Sequence, residues 1–216
     1  MIVTFDLETL PTQDAEIIEQ LRKTIKPPAT HKKPETIASW MEENAESALA
    51  ELVAKTSFDG MYGRIACIAW DYSDGSFSTD ANMTEFEVIS AFFDFISEIK
   101  DFGLAFCGHN IVGFDLPFLK HRAIIHGIKP PPDLMKAMYA KPWDSCVADT
   151  MLMWSPDREK RASMDKLCRV FGIEGKGDFD GSMVASTWPT DPQKVINYCK
   201  DDVERTIKIY NRLTFK

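Results

Sequence analysis

The spacing of hydrophobic residues along the chain predicts an alternation of strands and helices. The first ten residues contain an apolar run, Ile2 to Leu7, of the length expected for a buried strand. Similar short runs predict further strands at 65–72, 76–79, 103–108 and 145–151. Helical spacing predicts helices at 14–25, 35–55, 84–100, 117–126, 163–171 and 192–213. The order predicts an α/β fold: a mixed five-stranded sheet with helices on both faces, in one domain over residues 1–216, with a helical insertion at 11–60.

Two local signals add detail to this outline. Asp74-Gly75 lies between two strand-like runs and predicts a hairpin, so the strands at 65–72 and 76–79 should be antiparallel neighbours. Thr84 followed by Glu87 predicts a capping box at the start of the next helix. That helix is expected to bury the side chains of one face, namely Phe86, Ile89, Phe92, Phe93 and Ile96.

The composition is that of a globular protein, and its charge limits the class of partner. Hydrophobic residues make up 44% of the chain, and no apolar run approaches the ~20 residues of a membrane span. The net charge of −8 argues against a protein that wraps long duplex DNA, but allows a site that holds a few nucleotides through metal ions. Five scattered cysteines without CxxC spacing, and no signal peptide at the start, predict reduced thiols in the cytoplasm.

Two carboxylates interrupt the first strand. Asp6 and Glu8 are two residues apart, so both side chains point to the same face of the sheet. At ~4 Å and an effective dielectric constant of 20, two such charges repel by roughly 4 kcal/mol. The chain tolerates this repulsion if a cation binds between them. The alternative is that the strand end opens to water and the two acids are ordinary exposed residues.

A second group of polar residues lies in the loop and helix start at 107–119. Pro117 in the first helical turn puts Asp115 at about the N-cap, and His109 and Asn110 precede it on the loop. A strand end beside a helix start is where α/β sheets bind ligands. The alternative is that Asp115 only caps the helix, and that His109 and Asn110 are plain turn residues.

A third group lies in the last helix, where Tyr198 and Asp202 are four residues apart and therefore on one face. Neighbouring apolar residues suggest that this face borders the core, where an aspartate needs a partner such as a cation. Asp201, three residues after Tyr198, is the other candidate for the inward position. Tyr198 alone could be an ordinary half-buried core tyrosine.

Taken in order, these groups resemble the three motifs of the DEDDy 3′–5′ exonucleases, in particular the proofreading domains of family B DNA polymerases and their stand-alone phage and bacterial relatives. The motifs are Phe-Asp-Leu-Glu-Thr at 5–9, Asn110 to Asp115, and Tyr198-x-x-x-Asp202. The resemblance implies a ribonuclease H-like fold. It also implies release of 5′-mononucleotides from the 3′ end of single-stranded DNA.

The resemblance further implies that four carboxylates hold two Mg²⁺ ions, for which Mn²⁺ should substitute. Asp6 would be shared, Glu8 and Asp202 would hold the ion that activates water, and Asp115 the ion at the leaving oxygen. Tyr198 would orient the attacking water. The residues implied to contact the 3′-terminal nucleotide are the backbone around Thr9 and Leu10, together with Asn110 and Phe114.

Some questions stay open at this point. The insertion departs from the polymerase pattern, and it could be a structural cover or a lid that guides the substrate. The basic excess at 158–176 could flank the incoming strand or be a solvated face. Two other functions are possible: a catalytically idle module that binds nucleic acid or a replication partner, and an enzyme that trims RNA 3′ ends. A replication or recombination protein is a possible partner, and no membrane is expected.

Overall fold

The computed structural model describes residues 1–73, 75–100, 103–175 and 177–216, and within them it contains one five-stranded sheet. The strands are β1 (Ile2–Leu10), β2 (Arg64–Tyr72), β3 (Gly75–Ser78), β4 (Ala105–Gly108) and β5 (Val147–Asp149). Their order is β3-β2-β1-β4-β5. β1 runs antiparallel to β2 and parallel to β4, and β4 runs parallel to β5. The mixed sheet predicted from the sequence is therefore confirmed.

The helices lie on both faces of this sheet, as predicted. In chain order they are α1 (Ala15–Thr24), α2 (Pro34–Lys55), α3 (Glu85–Glu98), α4 (Asp115–His126), α5 (Pro132–Met138), α6 (Thr150–Trp154), α7 (Met164–Phe171), α8 (Val184–Thr187) and α9 (Pro192–Leu213). Short 3₁₀ turns follow α2 at Thr56–Phe58 and precede α7 and α8 at Arg158–Lys160 and Gly181–Met183. Within the described residues, no helix combines the length and the apolar character that a bilayer crossing requires.

The alternation of side chains along β1 divides the core in two. Val3, Phe5 and Leu7 belong to the cluster that packs with α3 and α4, where the ring of Phe5 contacts that of Phe92 at 5.0 Å. Leu10 joins the cluster on α9, which includes Val195 and Val203. Side chains alternate along a strand, so Asp6 and Glu8 point to the opposite face from Phe5 and Leu7, toward α9. The β1 carboxylates therefore face this helix.

A buried ion pair joins the helices of the first cluster. Arg122 on α4 donates to both oxygens of Glu85 on α3, at 2.8 and 2.7 Å, and both side chains are almost fully buried. His126 lies 2.8 Å from the same carboxylate, and the Ile65 N–H donates to it at 2.7 Å. Arg122 also donates to the carbonyl of Gly60, at the end of the insertion. This network holds α3, α4, β2 and the insertion in one arrangement.

Several sequence-based expectations need correction. Phe86 lies in the first turn of α3 and is 51% exposed, although the capping box of Thr84 and Glu87 is present as predicted. The strand expected at 145–151 is limited to Val147–Asp149, because the Asp149 side chain accepts backbone N–H groups and starts α6. No helix was predicted between 126 and 163, but Pro132 begins α5 and Thr150 begins α6. The antiparallel pairing of β2 with β3 is confirmed, while Asp74 and Lys176 lie outside the described residues.

Candidate active site

Carboxylates from the first strand and the last helix meet at the centre of the sheet. Asp6 and Glu8 of β1 and Asp202 of α9 each offer an oxygen, and these atoms all lie within 4.8 Å of one another. The pleat of β1 turns the first two side chains toward α9, and the packing of α9 on β1 brings in the third. Just beyond this point, between Glu8 and Thr9, the register of β1 against β2 shifts by one residue, and the pairing then continues to Leu10.

The orientation of α9 decides between the two aspartates that the sequence left open. The Asp202 side chain is only 5% exposed, whereas that of Asp201 is 57% exposed. Tyr198, one turn before Asp202, is buried with its ring 5.0 Å from that of Phe179 in an edge-on contact. Asp202 and Tyr198 are therefore the inward residues of this helix.

Arg205 fixes the Asp202 carboxylate from the next turn of α9. Its Nη1 donates to Oδ1 of Asp202 at 2.9 Å, and its other nitrogens donate to the carbonyls of Glu174 and Gly175 at 3.3 and 3.0 Å. The guanidinium thereby ties one member of the three-carboxylate group to the loop after α7. Sequence reasoning did not single out Arg205, although its spacing of three from Asp202 is a recognisable helical ion pair.

Asp115 borders the same cleft from the opposite side. It is the first residue of α4 rather than its cap, since Phe114 occupies the N-cap position. The carboxyl is buried and accepts the backbone N–H of Leu7, next to Asp6 on β1. Burial raises the pKa of Asp115 to about 7, despite the opposing hydrogen bonds, and the charges of Asp149 and Asp202 add to this rise. Asp115 therefore lies beside the three-carboxylate group, although it is not within its 4.8 Å limit.

The cleft has a volume of about 540 Å³ and contains most of the residues predicted from the sequence. The predicted residues along its wall are Asp6, Glu8, Thr9, Asn110, Phe114, Asp115, Tyr198 and Asp202. Leu10 is different: it is not among the residues that border the cleft, and its side chain is buried in the core on α9. The Thr9 hydroxyl already donates to the carbonyl of Ser57 at 2.7 Å.

The loop that carries Asn110 is held by a residue that the sequence analysis missed. Asp149 accepts the backbone N–H groups of Asn110 and Val112, at 3.0 and 3.1 Å, as well as those of Met151 and Leu152 in the first turn of α6. This clamp supports the left-handed backbone of Asn110, whose φ is 66°. An aspartate between a strand and a helix is a detectable capping signal, but its contacts to the neighbouring loop are not visible in the sequence.

The chemistry of this donor set suits a hard divalent cation. Carboxylate oxygens are the ligands preferred by Mg²⁺ and Mn²⁺. Among the residues that the structure describes, the group of mutually close donors consists of the three carboxylates and includes no histidine or cysteine. Three acids this close, one of them buried, repel one another, and a bound cation would add to the compensation that Arg205 gives Asp202. The residues present therefore fit a divalent metal site.

A comparison with known protein families finds a match over most of the chain. Residues 65–216 match the model of a family described as predicted 3′–5′ exonucleases related to the exonuclease domain of PolB. The matched range includes Asp115, Tyr198 and Asp202, and begins after Asp6 and Glu8.

The fold is similar to that of a solved structure, the family B DNA polymerase from the hyperthermophilic archaeon Pyrobaculum calidifontis. The TM-score is 0.59 at 18% sequence identity, over 99% of this chain and 24% of the polymerase. The chain thus spans about a quarter of that protein's length. No protein of curated function matches the chain in sequence.

Proposed function

Because the chain belongs to the family of predicted 3′–5′ exonucleases related to the exonuclease domain of PolB, we propose that it hydrolyses phosphodiester bonds at the 3′ end of single-stranded DNA, releasing 5′-mononucleotides. One observation carries this proposal. Asp6 and Glu8 of β1 meet Asp202 of α9 with oxygens within 4.8 Å, at a cleft that Asp115 and Tyr198 also border. Such a constellation is what hydrolysis of a phosphodiester by metal-assisted displacement requires.

The proposal includes two Mg²⁺ ions, with Mn²⁺ as a substitute. Asp6 would be shared between the ions, Glu8 and Asp202 would hold one, and Asp115 would hold the other. When bound, two such ions supply charge stabilisation to the attacking and leaving oxygens of an in-line displacement. The pKa of Asp115, about 7, means that this carboxyl gives up its proton near neutral pH to become a ligand.

Tyr198 is proposed to orient the attacking water through its phenolic oxygen. Its ring is buried against Phe179, so the hydroxyl is presented to the cleft from a fixed position one helical turn from Asp202. Tyrosine can both donate and accept a hydrogen bond, which suits the positioning of a water molecule. The phenol is proposed to act by position, as a hydrogen-bonding group beside the attacking water.

The 3′-terminal nucleotide is proposed to lie beside Thr9, Leu10, Asn110 and Phe114. The backbone of Asn110 is held by the Asp149 clamp, which fixes the position of this residue at the cleft. The ring of Phe114 packs 5.6 Å from that of Phe118, and it offers a stacking surface that does not depend on the identity of the base. The backbone of Leu10, rather than its buried side chain, is the group proposed to make the contact.

The same proposal takes residues 1–216 as a single exonuclease domain with a helical insertion. It also takes the chain to act in the cytoplasm, where a reducing environment suits its cysteines, which are all free and buried.

The adjacent aspartates of α9 provide a matched pair for the decisive experiment. Purified wild type, Asp202→Asn and Asp201→Asn are incubated with 5′-labelled DNA and RNA oligonucleotides in Mg²⁺, Mn²⁺ or EDTA. Wild type and Asp201→Asn should shorten DNA stepwise from its 3′ end, whereas Asp202→Asn and all reactions in EDTA should leave it intact. Tyr198→Phe should slow turnover at least tenfold while leaving Mn²⁺ affinity within about twofold.

Other outcomes have equally definite meanings. Equal activity of Asp202→Asn and wild type would mean that the group of Asp6, Glu8 and Asp202 does not take part in the reaction as proposed. Binding of oligonucleotides without cleavage in any divalent metal would indicate a catalytically idle nucleic-acid-binding module. Preferential shortening of RNA would identify an RNA-trimming enzyme instead.

A further inference from the structure

We propose that the end of the helical insertion forms an additional nucleotide-binding subsite, in which the ring of Phe58 stacks on a substrate base and the ammonium group of Lys55 contacts the phosphate backbone. The proposal rests on the proposed function, because it requires a single-stranded nucleic acid in the cleft. It assigns substrate binding to residues 55–58, which lie outside the range matched by the exonuclease family.

The end of the insertion is anchored directly to the catalytic strand. The Thr9 hydroxyl, at the end of β1, donates to the carbonyl of Ser57 at 2.7 Å. The Thr12 N–H donates to the hydroxyl of Thr56 at 2.8 Å, and Thr56 is itself buried. These long-range bonds fix the 3₁₀ turn Thr56–Phe58 beside Asp6 and Glu8, so its side chains have a defined position relative to the carboxylates.

Phe58 presents an aromatic surface to solvent at this anchored position. Its side chain is 74% exposed, and its ring centroid lies 6.4 Å from that of Phe114 with a tilt of 58°. Phe114 in turn packs on Phe118, so one side of Phe58 is supported while the rest stays open. An exposed ring at the rim of an acidic cleft suits stacking with a base, which every nucleotide offers regardless of sequence.

Phe58 also lies where a strand leaving the carboxylates would pass. It borders both the cleft of about 540 Å³ that holds Asp6 and Asp202 and an adjoining cleft of about 580 Å³ that runs toward Ser163 and Met164. The two clefts share Asp6, Phe58 and Asp202 along their walls. A single strand whose last phosphodiester lies at the carboxylates therefore has a continuous path across the Phe58 ring.

Lys55 brings a positive charge to the rim of the acidic cleft. Among the described residues that border the carboxylate cleft, Lys55 is the only lysine or arginine. It ends α2 and is exposed, so its flexible side chain can reach a phosphate without a desolvation cost. In a chain of net charge −8, a cation at this point gives local attraction for the substrate backbone.

The test measures the affinity of a 5′-fluorescein-labelled single-stranded DNA by anisotropy in EDTA, where no cleavage occurs. Phe58→Ala should weaken binding by roughly 5- to 100-fold, the range of one lost base stack, whereas Phe58→Trp should retain it. Phe86→Ala is the matched control, because Phe86 is also exposed but borders neither cleft. Thermal melting of each variant verifies that the fold is intact.

Two further measurements separate stacking from a general surface effect. An oligonucleotide with abasic sites at its last nucleotides lacks the bases on which Phe58 would stack, so wild type should bind it weakly. That affinity should be close to the affinity of Phe58→Ala for intact DNA. Phe58→Ala itself should bind the intact and the abasic oligonucleotide with nearly equal affinity. Lys55→Ala should reduce the slope of log affinity against log salt by about 0.7, the value for one single-strand phosphate contact, while Lys208→Ala should leave it unchanged.

The outcomes distinguish this subsite from the proposed function. If wild type binds and cleaves DNA but Phe58→Ala binds with full affinity, or loses affinity equally for intact and abasic DNA, the subsite is overturned and the exonuclease proposal stands. If wild type neither binds nor cleaves any DNA or RNA oligonucleotide, the proposed function fails, and the subsite fails with it.

Discussion

Neutralising one carboxylate of the candidate metal site should stabilise the metal-free protein. Asp6, Glu8 and Asp202 lie with oxygens within 4.8 Å of one another, which at an effective dielectric constant of 20 gives a repulsion of roughly 3.5 kcal/mol per pair. Asp6 and Glu8 are partly exposed and Arg205 offsets part of the charge, so we expect Asp6→Asn to relieve only about 1–2 kcal/mol. For a chain of this size, that gain raises the melting temperature by about 2–8 °C.

The same substitution should have the opposite effect once metal is present. At a concentration a hundred times its dissociation constant, a bound Mn²⁺ stabilises the folded wild type by about 2.7 kcal/mol. Asp6→Asn removes the proposed shared ligand, so Mn²⁺ should stabilise this variant only a little. In Mn²⁺, wild type should therefore melt at a higher temperature than Asp6→Asn, the reverse of the order in EDTA. Asparagine is chosen because it keeps the shape of the side chain, which accepts a contact of 3.6 Å from the Cys199 thiol.

Thermal melts of wild type and Asp6→Asn in EDTA and in Mn²⁺ test both halves of this prediction. Asp201→Asn is the control, because it removes an equivalent but exposed charge from α9 and should follow wild type in both buffers. The reasoning is refuted if Asp6→Asn melts below wild type in EDTA and still gains the full Mn²⁺ stabilisation. That pair of results would mean that Asp6 supports the fold and does not contribute to a metal site.

Three further predictions concern the groups around the site. Arg205→Ala should weaken Mn²⁺ binding by about 10- to 100-fold in calorimetric titrations, because Arg205 holds the Asp202 carboxylate. Arg212→Ala removes a contact to the carbonyl of Phe171 from the same helix and should leave the affinity unchanged. Equal effects of the two variants would contradict a positioning role for Arg205. The pKa of Asp115 is higher in the folded protein than the value of about 4 in unfolded chains, so Asp115 stabilises the metal-free fold below pH 4 and loses that contribution as the pH rises to 7. The affinity for Mn²⁺ should rise over the same pH interval, because the carboxylate must lose its proton to bind the ion. An affinity that does not change with pH would exclude Asp115 as a ligand. Arg122→Ala should leave the buried Glu85 carboxylate without its arginine, with His126 and the Ile65 N–H still beside it. We expect this loss to lower the free energy of unfolding in urea by about 3 kcal/mol, and a loss under 1 kcal/mol would contradict the burial argument.

The sequence predicts elements best where the local signals agree with one another. The last helix was predicted with both of its ends, because Asp191 caps it, Pro192 begins it and apolar residues continue to Leu213. The same holds for the helix from Thr84, whose capping box is visible as a four-residue pattern. At the candidate site, the pleat of β1 alone was enough to place Asp6 and Glu8 on one face.

The sequence fails where a residue acts through contacts that are distant along the chain. Phe86 has the spacing of a core residue but lies in the first turn of α3 and is exposed, and only the packing of that helix reveals this. Pro132 could end one helix or begin another, and the two uses of proline have the same local pattern. The position of Phe58 depends on the hydrogen bonds of Thr9 and Thr12 across almost fifty residues.

The two buried aspartates beside the cleft illustrate how the fold separates support from function. Asp149 accepts four backbone N–H groups, so its oxygens are taken up by the protein and its negative charge is balanced there. Asp115 is equally buried, and burial raises its pKa to about 7 although the backbone N–H groups of Leu7 and of Asp115 itself oppose that rise. A carboxylate whose oxygens are occupied cannot serve as a ligand, whereas one that the fold leaves poorly compensated gains most from a bound cation. The backbone N–H groups of the loop at 110–112 therefore bind Asp149, which holds that loop in place, while Asp115 borders the cleft.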